Sequence, residues 1–229
     1  MTEPLDNTPC VIFALAREAS AFYRHFKPSQ SFPTAPCRAR LCGPILVLES
    51  GVGARATDRA LAWLPCRPRM ILSAGYCGAL QEHLRVGDVV LAKEVADTSG
   101  GRWPVTWPAV SQGGRLLTSP TLAADPDQKR QLGRDHDAVA VDMETAPVAR
   151  WCAERDIPFA SVRAVSDDVR TALTPRLVAL LSGGRVSPLR LLASLARQPR
   201  LLGELWRLAQ HTRLASARLA VAMDELLTL

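Results

Sequence analysis

Three acidic side chains stand where apolar runs of this chain give out: Glu18, Glu144 and Asp167. A carboxyl group in such a place can hold or take a proton away from bulk water, which is the work of general acid–base catalysis. Residues 139–168, VAVDMETAPVARWCAERDIPFASVRAVSDD, supply two of the three. The run Val139, Ala140, Val141 ends on Asp142, and residues 143–155 repeat Met143, Ala146, Val148, Trp151 and Cys152 at mostly helical spacing. Pro158 stops that helix, and residues 159–165 follow as an apolar strand interrupted by Arg163. Glu144 therefore opens a helix and Asp167 lies just past a strand. Open α/β sheets place their chemistry at such ends. On spacing alone each acid also fits an ordinary structural part. Glu144 would complement the helix dipole, and Asp167 with Asp168 would cap the next element.

The string VDMETAPVARWCAERDIPFASVRAVSD resembles the signature of the nucleoside phosphorylase and methylthioadenosine/adenosylhomocysteine nucleosidase superfamily. The resemblance implies that Glu144 and Met143 grip a ribose, and that Asp167, after Ser166, protonates a purine. It also implies a three-layer α/β/α fold with a mixed central sheet, no metal, and no cofactor other than phosphate as a co-substrate. Asp142 and Ser166 would lie on the base side. Asp167→Asn is expected to remove the acid and leave the fold intact.

The elements that must position these residues lie upstream. Residues 10–16, CVIFALA, form a buried strand that runs into Arg17 and Glu18 and a helix through Phe22 and Phe26. By the resemblance, Glu18 activates the attacking water; Arg17 is either an anion ligand or a solvated side chain. Residues 45–49 are the next strand, followed by Ser50, Gly51, Val52 and Gly53. Glycines there let backbone approach a ligand and open a helix whose free N–H groups favour anions. A third strand at 69–74 leads to Gly75, Tyr76, Cys77 and Gly78, which resemble the family's glycine-rich turn; Tyr76 replaces its small hydroxyl residue. Further strands are expected near 87–93, 137–141 and 158–165. Residues 97–114 hold Trp103 and Trp107 and either pack locally or cover an apolar ligand. Residues 116–123 resemble the strand and loop that stack on the base, with Ser119 on the base side.

At 229 residues, the chain has the length of one α/β domain. No apolar run reaches the roughly 18 residues of a membrane span, and no signal-peptide pattern opens the sequence. Six scattered cysteines without a CxxC pair read as reduced thiols of a cytoplasmic protein rather than a zinc site. The net charge of +6 equals that of residues 170–229, where nine arginines face three acids. Those arginines carry no nucleic-acid-binding motif. The domain is expected over 1–182 and a basic helical extension over 183–229. In the extension Gly183 and Gly184 break the chain, Ser187-Pro188 starts a helix, and a second helix follows Pro199. Its apolar stripe is Leu201, Leu205, Leu208, Thr212, Ala215, Leu219, Ala222 and Leu226. This helix either packs on the sheet or lies with residues 185–218 against anionic lipid.

Across its whole length the chain resembles the hopanoid-associated phosphorylases, on the Asp-Met-Glu-Thr box and the ending SPLRLLASLARQPRLLGELWRLAQHTR. That resemblance implies release of adenine from adenosylhopane, a lipid-linked purine nucleoside, by a homodimer peripheral to the membrane. The alternatives are a nucleosidase acting on a soluble thionucleoside and a non-catalytic nucleoside-binding module. Glu18 favours water as the nucleophile and the family name favours phosphate, so hydrolysis and phosphorolysis both stand.

Overall fold

The computed structural model describes residues 6–106, 113–174 and 200–227. Strands that bury every side chain make the middle of the sheet: β1 (Cys10–Phe13) and β4 (Ile45–Glu49). Such unbroken burial belongs to parallel strands covered on both faces. Around them run α1 (Ala16–His25), β2 (Gln30–Ser31), β3 (Arg38–Cys42), α2 (Ala54–Trp63), β5 (Ile71–Ala79), β6 (Val89–Leu91) and β7 (Glu94–Asp97). Then come β8 (Arg102–Pro104), β9 (Arg115–Thr118), α3 (Pro126–Asp135), β10 (Ala140–Asp142), α4 (Thr145–Ala153), β11 (Phe159–Asp167) and α5 (Arg200–Leu227).

The period of two sorts the strand residues between two cores. Cys10, Ile12, Leu46, Leu48 and Ile71 meet Ala60 and Leu61 of α2 and Val148 and Cys152 of α4. Val11, Phe13, Val47, Leu72 and Ala74 meet Ala19 and Phe22 of α1 and Ala215, Leu219 and Met223 of α5. The result is the expected three-layer α/β/α arrangement with a mixed sheet and a C-terminal helix. Strand order is β2-β3-β4-β1-β5-β10-β9-β7-β8, with β11 and then β6 on the other edge of β5.

From Thr212 onward the stripe expected along α5 lies on the face it buries. Thr212, Ala215, Leu219 and Leu226 are covered, joined by Ser216 and Met223, and the helix lies on β11, α1 and β5. A fully covered leucine such as Leu219 contributes about 1.5–3 kcal/mol. Packing on the sheet is thus the alternative that holds for the described part of the tail. The 182/183 boundary, Gly183, Gly184, Ser187-Pro188 and residues 185–199 lie outside the described residues. Among the described residues no helix is long and apolar enough to cross a membrane.

Several local expectations change. The turn expected after residue 74 is strand: β5 continues to Ala79 because β11 pairs with it from Phe159↔Ile71 to Asp167↔Gly78. The strand expected near 87–93 is β6, which pairs with β11, and it is followed by a strand that was not expected, β7, which pairs with β9. Trp103 belongs to β8, in a hairpin with β7, and packs against the α2–α4 core. Trp107 lies outside the described residues.

One feature of the sheet creates the site. β1 runs parallel to β5, pairing up to Ile12↔Ser73. β10 runs antiparallel to β5 on the same edge and pairs only at Val141↔Gly78 and Ala140↔Ala79. The two strands therefore approach head-on and stop, leaving the edge of β5 without a strand partner between Ser73 and Gly78. A point where neighbouring strands diverge is where open α/β sheets form their crevice.

Candidate active site

Glu18 enters the gap from the β1 side. One carboxylate oxygen accepts from the N–H groups of Ala14 and Leu15 at 2.9 and 2.8 Å. The other accepts from the Tyr76 N–H at 2.8 Å, so a side chain satisfies the β5 edge that no strand reaches. Burial raises the Glu18 carboxyl above its ordinary value, against the pull of the Arg163 guanidinium and of these N–H donors.

Glu144 enters from the β10 side as the residue before α4. Its Oε1 accepts from the Gly53 N–H at 2.8 Å. Gly53 is the N-cap of α2 with φ of 84°, a left-handed geometry that glycine takes without strain. Burial first, and then the charge of Asp142, push the Glu144 carboxyl up to about 8 despite Arg163. Met143 beside it is half-buried.

Between the two acids lies Arg163, only 1% exposed. Its Nη2 contacts Asp142 Oδ2 at 2.8 Å and donates to Ser73 Oγ at 2.7 Å. Its Nε donates to Thr145 Oγ1 at 3.2 Å. Its Nη1 is buried without a hydrogen-bond partner. A Cβ at Gly75 would stand 2.3 Å from that nitrogen and 2.7 Å from Glu18 Oε1. The missing side chain of Gly75 is thus the space in which Glu18 and Arg163 meet.

Asp167 ends β11 on the far edge of β5, opposite Gly78, and a Cβ on Gly78 would come 2.9 Å from its Oδ2. Ser166 Oγ donates to Asp167 Oδ1 at 2.9 Å and to the Cys77 carbonyl at 3.2 Å. The other carboxylate oxygen is paired with the ammonium of Lys129, a residue with 0% exposure.

The remaining sequence-derived residues divide. Gly51, Gly53 and Gly75 are backbone at the gap. Ser50 is buried there, but its hydroxyl is engaged with the carbonyls of Phe13 and Gly51. Asp142 is no open base-side acceptor: Thr118 holds Oδ1 at 2.7 Å, and Thr145 and Arg163 hold Oδ2. Ser119 donates to the Thr121 carbonyl at 2.8 Å. Tyr76 brings only its N–H to the gap; its hydroxyl meets Ser216 of α5 at 2.5 Å. Arg17 is exposed and donates to Thr212 of α5 at 3.5 Å. The small-hydroxyl position of the expected phosphate turn has become a tie to the C-terminal helix.

A sequence profile described as "Phosphorylase superfamily" matches residues 10–127 and 107–179, which includes every residue placed at the gap. The chain belongs to the phosphorylase superfamily. Among curated members of known activity, the 5'-methylthioadenosine/S-adenosylhomocysteine nucleosidase of Staphylococcus aureus is 27% identical over 155 residues, 54% of this chain and 68% of that protein. The fold matches the nucleosidase of the same name from Helicobacter pylori with a TM-score of 0.69 at 15% identity, over 96% of this chain and 100% of that one. It matches the futalosine hydrolase of Helicobacter pylori with a TM-score of 0.68 at 15% identity, over 95% and 97%. The Streptococcus pneumoniae MTA/SAH nucleosidase, in complex with 8-aminoadenine, gives 0.64 at 20% identity, over 71% and 87%.

Two residues of this superfamily member escaped the sequence reading. Arg163 was visible as the one charge inside an apolar strand, a signal that a buried ion pair would explain. Lys129 gave no such sign, since a lysine near the start of a polar helix ordinarily faces water.

Proposed function

We propose that the protein hydrolyses the N-glycosidic bond of a purine nucleoside and releases adenine. The observation that carries this reading is the meeting of Glu18, Glu144 and Arg163 along the open edge of β5. Glu18, held by three N–H groups, takes the proton of an attacking water, which Arg163 Nη1 is free to orient. Glu144, with Met143 beside it, accepts hydrogen bonds from the ribose hydroxyls, and these strengthen as positive charge develops on the ring. Asp167 serves the leaving base. Water suits this gap better than phosphate, because Arg163, the cation at the gap, is already committed to Asp142. Soluble 5′-thioadenosines are the substrate class favoured by the named relatives. The test is a nucleoside panel with and without phosphate. Adenine plus free ribose supports hydrolysis, ribose 1-phosphate replaces it with phosphorolysis, and no released base leaves a nucleoside-binding module.

A second reading, adenosylhopane as the substrate of a membrane-peripheral homodimer, is supported by the outer face of α5. Trp206, Leu214 and Val221 are exposed there at 67%, 45% and 57%, and Arg207, Arg213 and Arg218 are exposed on the same helix. Arginines near an anionic surface add about 1 kcal/mol each, weakened by salt. Liposome flotation at low and high salt, with the full chain and a variant in which the exposed Arg207, Arg213 and Arg218 are replaced by Gln, tests it; equal, negligible binding by both removes it.

A further inference from the structure

Lys129 is a fully buried cation whose counter-charge is the acid assigned to the leaving base. α3 carries it there. The helix is capped by Asp125, which accepts from the N–H groups of Asp127 and Gln128. Gly133, one turn after Lys129 on the same face, lets α3 close on the end of β5, since a Cβ there would stand 2.9 Å from the Leu80 carbonyl oxygen. From this position the Lys129 ammonium donates to Asp167 Oδ2, to the Asp168 carbonyl at 2.8 Å and to the Thr171 carbonyl at 3.3 Å. An ammonium thus holds one oxygen of Asp167 and the Ser166 hydroxyl the other, so Lys129 Nζ is a proton donor in direct contact with the assigned acid.

We propose that the general acid is the Lys129–Asp167 pair, in which Asp167 meets the base and Lys129 supplies the proton through it. This rests on the glycosidase reading above. The glycosidic C–N bond breaks with its electrons entering the purine. The Lys129 ammonium gives a proton to the Asp167 carboxylate, which hands it to the base nitrogen; the pair is left as a neutral amine beside a carboxylate. Water adds to the sugar C1′ and loses a proton to Glu18. Glu18 returns that proton to solvent, and Lys129 recovers one from solvent by way of Asp167, whose side chain keeps 15% exposure. The first transfer turns an ion pair into a neutral pair of the same net charge, and handing the proton on leaves one negative charge that balances the positive sugar until solvent reprotonates the pair.

The other titratable groups around the pair hold their states. Burial pushes the Cys77 thiol of β5 up. Against the cost of burial, hydrogen bonds from Thr171 and the Arg170 N–H keep the Asp168 carboxyl below its ordinary value. Glu82 is paired with Arg130 of α3 and with Arg170.

The experiment compares K129M and K129R with the wild type as full chains, across acid to alkaline buffers. One substrate is 5′-methylthioadenosine; the other is p-nitrophenyl β-D-riboside, whose leaving group departs without a proton. The quantity read is the ratio of purine to nitrophenyl turnover. In K129M it falls by about 10² in mildly alkaline buffer and recovers in acid, where Asp167 takes its proton from solvent. In K129R the charge stays but the guanidinium releases no proton, so the ratio falls although the ion pair is kept. A ratio that is unchanged or raised in both variants, or that falls in K129M by one factor at every pH, overturns the pair alone. A wild type that cleaves neither substrate overturns the glycosidase reading and the pair with it.

Discussion

Gly75 and Arg163 are matched: a Cβ on the one would lie 2.3 Å from Nη1 of the other. The glycine is a strand residue, so its role here is room rather than backbone freedom. In Gly75→Ala, either the guanidinium or Glu18 must move. Misplacing a catalytic group by about 1 Å costs on the order of 10² in rate. Steady-state kinetics should show that loss; activity near wild type would mean that Glu18 and Arg163 need not meet.

Asp167→Asn is expected to lower purine release by about 10² or more. Lys129 changes the accompanying expectation of an intact melting temperature. The substitution leaves a fully buried ammonium with uncharged oxygens alone, the Asp168 and Thr171 carbonyls and the new amide, so the melting temperature should fall as well. Calorimetry beside kinetics separates the two effects.

Glu144→Gln should trade activity for stability. A carboxyl raised from 4.5 to about 8 by burial and by Asp142 favours folding in its neutral form. Its contribution is whole below the unfolded-state value and is lost as pH rises through the folded value. Glutamine mimics the neutral acid and can still accept from Gly53. Relative to wild type the variant should therefore gain about 1 kcal/mol or more in alkaline buffer, or roughly 2–4 °C, and gain little in acid. A gain independent of pH would contradict this origin.

Arg163→Met strands Asp142, which is buried at 6% exposure. Removing one partner of a buried pair typically costs about 3–5 kcal/mol, and denaturant unfolding should show a drop of that size. A second replacement, Asp142→Asn, should recover part of it.

The sheet and its chemistry were unequally legible. Strands around Val11, Val47, Val141 and Val162 announced themselves because residues buried on both faces leave unbroken apolar runs. β3 was hidden, since Arg38 and Arg40 interrupt it, and α3 was hidden by its polar face, although Asp125-Pro126 is an N-cap and first-turn signal. Glu18, Glu144 and Asp167 stood out because each follows an apolar run, and it was the family resemblance, not the spacing, that gave them roles. Their partners could not be found in the same way. That Tyr76 gives its N–H to Glu18 follows from where β1 and β10 stop, and that Lys129 is buried follows from how closely Gly133 lets α3 approach.

The head-on meeting of β1 and β10 also sets an order in time. A ribosome delivers Glu18, β4 and β5 long before residues 140–144, since synthesis runs from the N-terminus. Until β10 arrives, the free edge of β5 faces a single carboxylate, with neither Arg163 nor Asp167 yet made. A half-finished chain therefore holds Glu18 without Glu144, Arg163 or Asp167, and the gap at the edge of β5 gains its full set of side chains only with the last strand pairings.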